Sequence, residues 1–294
     1  MNNQQLMNNR YRWVVYGGFI LIFIAAAWIT IQNEGRIEFS ADHDMTVPFW
    51  HNWIITGVLL LLILFLPGSS SDNNPFTSED RKVLVTQSII LATLAVLLFI
   101  GLLLVPGNNL SIYLPIFIIL LLFTAPVTMF SIYKEKRVKI NILSSHSYLT
   151  GNQWLYPMII MVVWMILYFF SPLGTPEGFG YEMDLIVLII GASFTFLMHS
   201  VLEELFYRVW LQTRLEVLLG TWPAIMISSL LWAIWHMSIQ GGGSADIAFS
   251  NVIVNQGVTG LFLGFLWAKY RNLWVLIIIH GLINFPLQIL AGLF

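Results

Sequence analysis

Glu203 and Glu204 stand side by side in a stretch that is otherwise apolar, ending at Arg208. On a helix of 3.6 residues per turn, Glu204 and Arg208 lie at i and i+4 and can pair, while Glu203 projects about 100° away. Glu203 then shares a face with His199, four residues earlier, and Tyr207, four later. Two further constellations follow: Trp232-Ala-Ile-Trp235-His236, and His280-Gly-Leu-Ile-Asn284, whose His and Asn fall on one helical face. Between them come Asn251, Asn255 and Gln256, and then Gly260 and Gly264, a small-residue spacing that lets helices approach closely. One free carboxylate, two imidazoles and an amide in a dry cavity are a hydrolytic set. The carboxylate acts as general base on water, and the His and Asn donors stabilise the oxyanion formed when a peptide bond is attacked. The same Glu203, His236 and His280 are also a possible ligand set for Zn²⁺, although the sequence has no H-E-x-x-H helix.

These residues must be positioned by membrane-spanning helices. The 294 residues are 58% hydrophobic and 10% charged, against roughly 25% charged in a soluble domain, so a soluble globular fold is excluded. Zero cysteines exclude disulfides, thiolate metal sites and a cysteine nucleophile, and a net charge of -2 excludes a nucleic-acid partner. Apolar runs near the length that crosses a bilayer predict nine spans. They cover Trp13 to Ile31, Phe49 to Leu66, Val83 to Val105, Ile112 to Ile132, Trp154 to Phe170, Leu185 to Leu202, Trp222 to Met237, Ile247 to Ala268 and Leu273 to Leu293. The second is short and holds His51 and Asn52, which leaves eight as an alternative. The expected fold is an all-α polytopic bundle. Arg10 and Arg12 precede the first span and no small-residue cleavage site follows it, so that span reads as a retained anchor.

With the N-terminus inside, twelve of the thirteen basic residues are assigned to cytoplasmic segments, leaving Arg36 outside. The twelve are Arg10, Arg12, Arg81, Lys82, Lys134, Lys136, Arg137, Lys139, Arg208, Arg214, Lys269 and Arg271. This predicts an integral protein of a bacterial cytoplasmic membrane with its C-terminus outside. The turn-rich, acidic segment from Ser171 to Asp184 separates five featureless spans, residues 1–184, from a chemistry-bearing part, residues 185–294. An ionisable residue inside a span marks a site by default. At 1.5 Å per residue His236 lies about 21 Å from Trp222, whereas His280 lies about 10 Å from Leu273. The two can meet only if the seventh helix tilts or begins at the cytoplasmic surface, which places the expected cavity near the midplane or in the cytoplasmic half.

At these positions the sequence resembles the CPBP family of intramembrane proteases, which includes the Rce1-type CAAX prenyl endopeptidases and the bacterial Abi proteins. The family pattern E-E-x-x-x-R, F-x-x-x-H and H-x-x-x-N is met by Glu203, Glu204 and Arg208, then Trp232 and His236, then His280 and Asn284. The resemblance covers about Leu185 to Leu293 and departs at Trp232, where the family usually has Phe. It implies that Glu203 activates water with help from His236, that His280 and Asn284 form the oxyanion site, and that Glu204 and Arg208 hold the helix. His199 reads as a packed histidine or one supporting the site. The implied substrate is a peptide or membrane protein, prenylated or bacteriocin-like. The reading of the residues favours metal-free, glutamate-activated water, with zinc on Glu203, His236 and His280 as the alternative.

Two other functions compete with proteolysis. A catalytically silent member would scaffold a membrane partner through its early spans, and a transporter would use the same polar residues as a proton relay. The blander readings are helix capping for the two glutamates, an interfacial role for His236, and interhelical hydrogen bonding for His280 and Asn284. His43, His51 and His146 read as loop or interface residues, and the cluster from Lys134 to Lys139 as a topology signal that also suits anionic lipid.

Overall fold

The computed structural model describes residues 9–40, 43–68, 76, 80–133, 152–174, 176, 184–240 and 243–285. Among them nine helical rods run back and forth. They are α1 (Arg12–Asn33), α2 (Phe49–Phe65), α3 (Arg81–Leu103), α4 (Leu110–Ile132), α5 (Asn152–Phe170), α6 (Leu185–Leu219), α7 (Thr221–Trp235), α8 (Ala245–Tyr270) and α9 (Leu273–Asn284). Five of these are long and apolar enough to cross a membrane, and the protein is an integral membrane bundle. The basic cluster from Lys134 to Lys139, His146, and the end of the predicted ninth span beyond Phe285 lie outside the described residues.

Helix starts and stops follow local chemistry. Asp80, Asp184 and Asn272 each accept a backbone N–H in the first turn of α3, α6 and α9, at 2.8, 2.9 and 3.1 Å. α6 stops at Gly220, whose φ of 92° allows the chain to reverse into α7 with no intervening loop. A short antiparallel hairpin, β1 (Arg36–Ser40) and β2 (His43–Pro48), joins α1 to α2, with Ile37 opposite Val47. The sequence reading did not anticipate this hairpin.

α6 is 35 residues long, about 52 Å at 1.5 Å per residue, and so exceeds a bilayer core of ~30 Å. Its first half presents Ile186, Val187, Ile189 and Ile190 outward, as lipid-facing residues should be. Its second half, from Leu202 to Leu215, is buried in the bundle except for the partly buried Leu205. Arg208 and Arg214 lie in that half with no exposed surface. They are therefore not cytoplasmic loop charges, and the topological asymmetry rests on ten basic residues against Arg36 rather than twelve.

α7 is the central rod, packed on α8, α6, α3 and α1. Its contact with α8 is close because Gly260 and Gly264 leave room. A Cβ on Gly260 would come 2.8 Å from Ser229 Cβ, and one on Gly264 would come 2.9 Å from Gln212 Oε1. α9 packs on α6, α5 and α8. One continuous apolar core runs from Val15 in α1 to Ile279 in α9.

Candidate active site

The 3.6-residue geometry of α6 separates its two glutamates as expected. Glu204 faces Arg208, with Oε2 3.3 Å from Nε, and both are fully buried. Glu203 turns to the other face, where its Oε1 lies 2.9 Å from His199 Nδ1. Around this point the helix loosens into π-turns, over Phe196–Val201 and Glu204–Gln212. Such turns recur at functional sites because they redirect side chains without breaking the rod.

Trp232 is the hub of the site. Its indole N–H donates to Glu203 Oε2 at 2.5 Å, and its backbone carbonyl accepts from His236 Nδ1 at 2.9 Å. Its ring stands edge-on to His236 and His280, with centroids 4.9 and 5.4 Å away, and lies beneath the Arg208 guanidinium at 5.4 Å. A carbonyl can only accept, so His236 carries its proton on Nδ1 and keeps Nε2 as a lone pair. The Trp-for-Phe departure thus changes more than pocket shape, since a Phe has no donor to offer Glu203. His199 stacks on Trp235 at 5.8 Å with 13° between the planes, which holds the imidazole against the carboxylate.

α9 supplies the remaining pair. His280 Nδ1 lies 2.9 Å from Glu204 Oε1, so Glu204 serves both Arg208 and His280 rather than Arg208 alone. Asn284, one turn on, donates its amide to Ser200 Oγ at 3.2 Å. The sequence-level difficulty of depth resolves here. Trp232, not His236, is level with His280, and α7 begins directly from the end of α6.

Glu203, His199, Trp232, His236, His280 and Asn284 all line one cavity of about 530 Å³, which also takes in Asn255 and Gln256. Glu204 and Arg208 lie behind its wall, and Asn251 is buried away from it. The cavity extends to the hairpin end of the bundle, reaching Ile37, Phe39 and Val47, Gly107 and Ser111 before and within α4, and Gly174 after α5. That end is the one the basic-residue count assigns to the outside, while Glu203 lies near the middle of α6; the sequence expectation is a cavity near the midplane or in the cytoplasmic half.

The early helices are not featureless. His51, Asn52 and Thr56 of α2 line the same cavity. The Asn52 amide donates to the carbonyl of Asn255 at 3.1 Å, to its Oδ1 at 3.0 Å and to Thr259 Oγ1 at 3.0 Å, and Trp53 donates to the Val254 carbonyl at 2.9 Å. α2 is thereby fastened to the π-turn Ile253–Gly257 of α8. The signal was present in the sequence: two adjacent polar residues inside an apolar span mark a site in α2 as they do in α6.

A zinc ion on Glu203, His236 and His280 can be tested against this geometry. Both oxygens of Glu203 are already bonded, to His199 and Trp232. Among the described residues no three His, Asp or Glu side chains form a group that could hold a metal ion. As arranged, the donors do not fit a zinc centre.

Residues 185–286 match the family described as Rce1-like, type II CAAX prenyl endopeptidase Rce1-like. This stretch is similar to the Rce1-like domain. No curated protein and no solved structure matches the chain. The matched stretch begins at the first residue of α6 and contains every motif residue described above, from His199 to Asn284. The matched family is described as an endopeptidase family, and the matched stretch shares its cavity with α2 residues outside its boundaries.

Proposed function

We propose that the protein is an intramembrane endopeptidase that hydrolyses a peptide bond with water activated by Glu203. The observation that carries this reading is a fully buried carboxylate in the wall of a cavity that it shares with His236, His280 and Asn284. The bonds from His199 and Trp232 hold the Glu203 carboxylate in place, and each oxygen retains a lone pair for water. His236, with Nδ1 tied to the Trp232 carbonyl, presents Nε2 to the same water and fixes its second hydrogen. Attack on the carbonyl carbon gives a tetrahedral oxyanion, and Glu203 passes the proton it has taken to the leaving amine.

The oxyanion is met by Asn284 and His280. Glu204 holds His280 through Nδ1, which leaves Nε2 as the ring atom available to the oxyanion. Glu204 and Arg208 therefore fix the oxyanion donor as well as the helix. No covalent intermediate is needed, and no step is routed through a metal. The resemblance to the bacterial Abi proteins supports a role in peptide processing or self-immunity in a cytoplasmic membrane. The deciding experiment is cleavage of internally quenched peptides in detergent by the wild type and by Glu203→Gln, with loss of cleavage in the variant expected.

A further inference from the structure

The cavity reaches one end of the bundle and not the other. Its walls include hairpin residues Ile37 and Val47 and the α4 residue Ser111, while none of the described residues joining helices at the opposite end contributes to it. Beneath Glu203, on that opposite side, Phe206, Tyr207 and Leu211 are completely buried and close the bundle. A peptide therefore reaches Glu203 from the hairpin end.

The two ends also differ in charge. Among the described residues, the hairpin end carries Glu34, Glu38, Asp184 and Asp246 against the single basic residue Arg36. Among the described residues, the other end carries Arg10, Arg12, Arg81, Lys82, Lys269 and Arg271, the charge that marks a cytoplasmic face. These carboxylates stand around the end onto which the cavity opens rather than in its lining, and charge of one sign at an entrance concentrates ligands of the other. Within the cavity Gln256 is 7% exposed, and its Oε1 is buried with no hydrogen-bond partner, an acceptor suited to a peptide N–H.

We propose that the site is served from the hairpin face, which is extracytoplasmic, by a peptide whose uncharged apolar segment fills the cavity and whose basic flank meets the acidic rim. The substrate is accordingly a cationic peptide or the external juxtamembrane part of a membrane protein, and not a C-terminus presented from the cytoplasm. The proposal rests on the proteolytic reading for its chemistry but not for its route.

The chain has no cysteine, so single cysteines give a clean test. Ser244→Cys at the hairpin end and Arg81→Cys at the other end are exposed and lie outside the cavity. Biotin maleimide on each captures vesicles of opposite orientation. Quenched peptides with a Leu/Val/Ala core and Lys or Glu flanks are added outside. Hairpin-out vesicles should cleave the Lys-flanked peptide at least about tenfold faster than the reverse orientation, with equal rates after detergent is added. The Glu-flanked peptide should lose roughly tenfold in kcat/KM, through KM, with the gap closing as salt rises. Equal or reversed rates in intact vesicles overturn the route, and indifference to flank charge overturns the substrate class. Failure to cleave even in detergent would sink the proteolytic reading instead. The route is then decided by Ser111→Cys in the cavity wall, which must react from the hairpin face and be protected by the Lys-flanked peptide. Reaction from the opposite face, or no protection, overturns it.

Discussion

Glu204 and His280, 76 positions apart in the chain, meet at 2.9 Å inside the bundle, and the same carboxylate faces Arg208. The pair makes one buried charge cluster out of α6 and α9. Removing one partner of a buried ion pair typically costs about 3–5 kcal/mol, because the other is left uncompensated. Arg208→Ala should therefore lose about that much stability in detergent, with lower folded yield and a lower melting temperature. Glu204→Gln leaves the buried Arg208 uncompensated and should cost a similar amount, and it should also lower kcat, since His280 loses the carboxylate that holds its Nδ1. Melting curves and turnover on the two variants check this, and an Arg208→Ala protein as stable as wild type would move Arg208 from scaffold to chemistry.

Glu203→Gln should separate activity from folding. An amide of the same shape can accept from the Trp232 indole and still bond His199 through the other oxygen's position, so melting should change little. Activity should fall by a factor of about 10²–10⁴, the usual contribution of a general base. A variant that cleaves peptide at the wild-type rate would remove Glu203 from the mechanism.

The motif residues were legible because an ionisable side chain in an apolar run has few reasons to be there, and helical spacing sorted Glu203 from Glu204 without a structure. Helix placement was legible for the same reason, since Phe49–Phe65 and Asn152–Phe170 fall within two residues of the apolar runs. Contacts between distant elements were not. The bond from Glu204 to His280, the Asn52 link to α8, and Ser200 as the partner of Asn284 depend on how helices pack, which periodicity within one helix does not encode. Arg208 and Arg214 misled the charge count because a buried arginine and a loop arginine look alike in sequence. Arg214 is sandwiched between the rings of Phe76 and Phe130, 4.1 and 4.5 Å away, and bonded to Gln87 at 2.8 Å.

Trp232→Phe restores the residue usual in the family and removes the donor to Glu203. A hydrogen bond to a charged group contributes about 1.5–3 kcal/mol. If the bond holds the carboxylate in its reactive orientation, kcat should fall roughly tenfold, less than in Glu203→Gln. KM should stay near wild type. Wild-type kcat in the Phe variant would show that the indole only fills space.

Asn52→Ala tests whether α2 belongs to the active unit. The change deletes three hydrogen bonds to Asn255 and Thr259 and leaves acceptors in the cavity wall without a donor. Stability should drop by about 1–3 kcal/mol. The looser π-turn in α8 should raise KM, because Gln256 follows Asn255 on the same wall. Kinetics on this variant and its melting temperature decide the point. Unchanged values for both would confine the site to the matched stretch.

Zinc is the alternative on which the same residues would act differently. A catalytic zinc needs about three protein ligands and an open position, with each histidine oriented by a partner behind it. Here His236 is oriented by the Trp232 carbonyl and His280 by Glu204, so both have a free Nε2, but Glu203 is held by His199 and Trp232. An ion could meet Glu203 only through the lone pairs its oxygens retain, the same ones that take the attacking water in the general-base reading. The glutamate-and-water reading therefore predicts cleavage at the wild-type rate after exhaustive chelation, with less than stoichiometric metal in the purified protein. It also predicts that His199→Ala, which frees one Glu203 oxygen, does not raise zinc affinity together with activity. Metal analysis and chelated assays check this together. Stoichiometric zinc whose removal abolishes cleavage, and whose return restores it, would replace the general-base step with a metal-bound water.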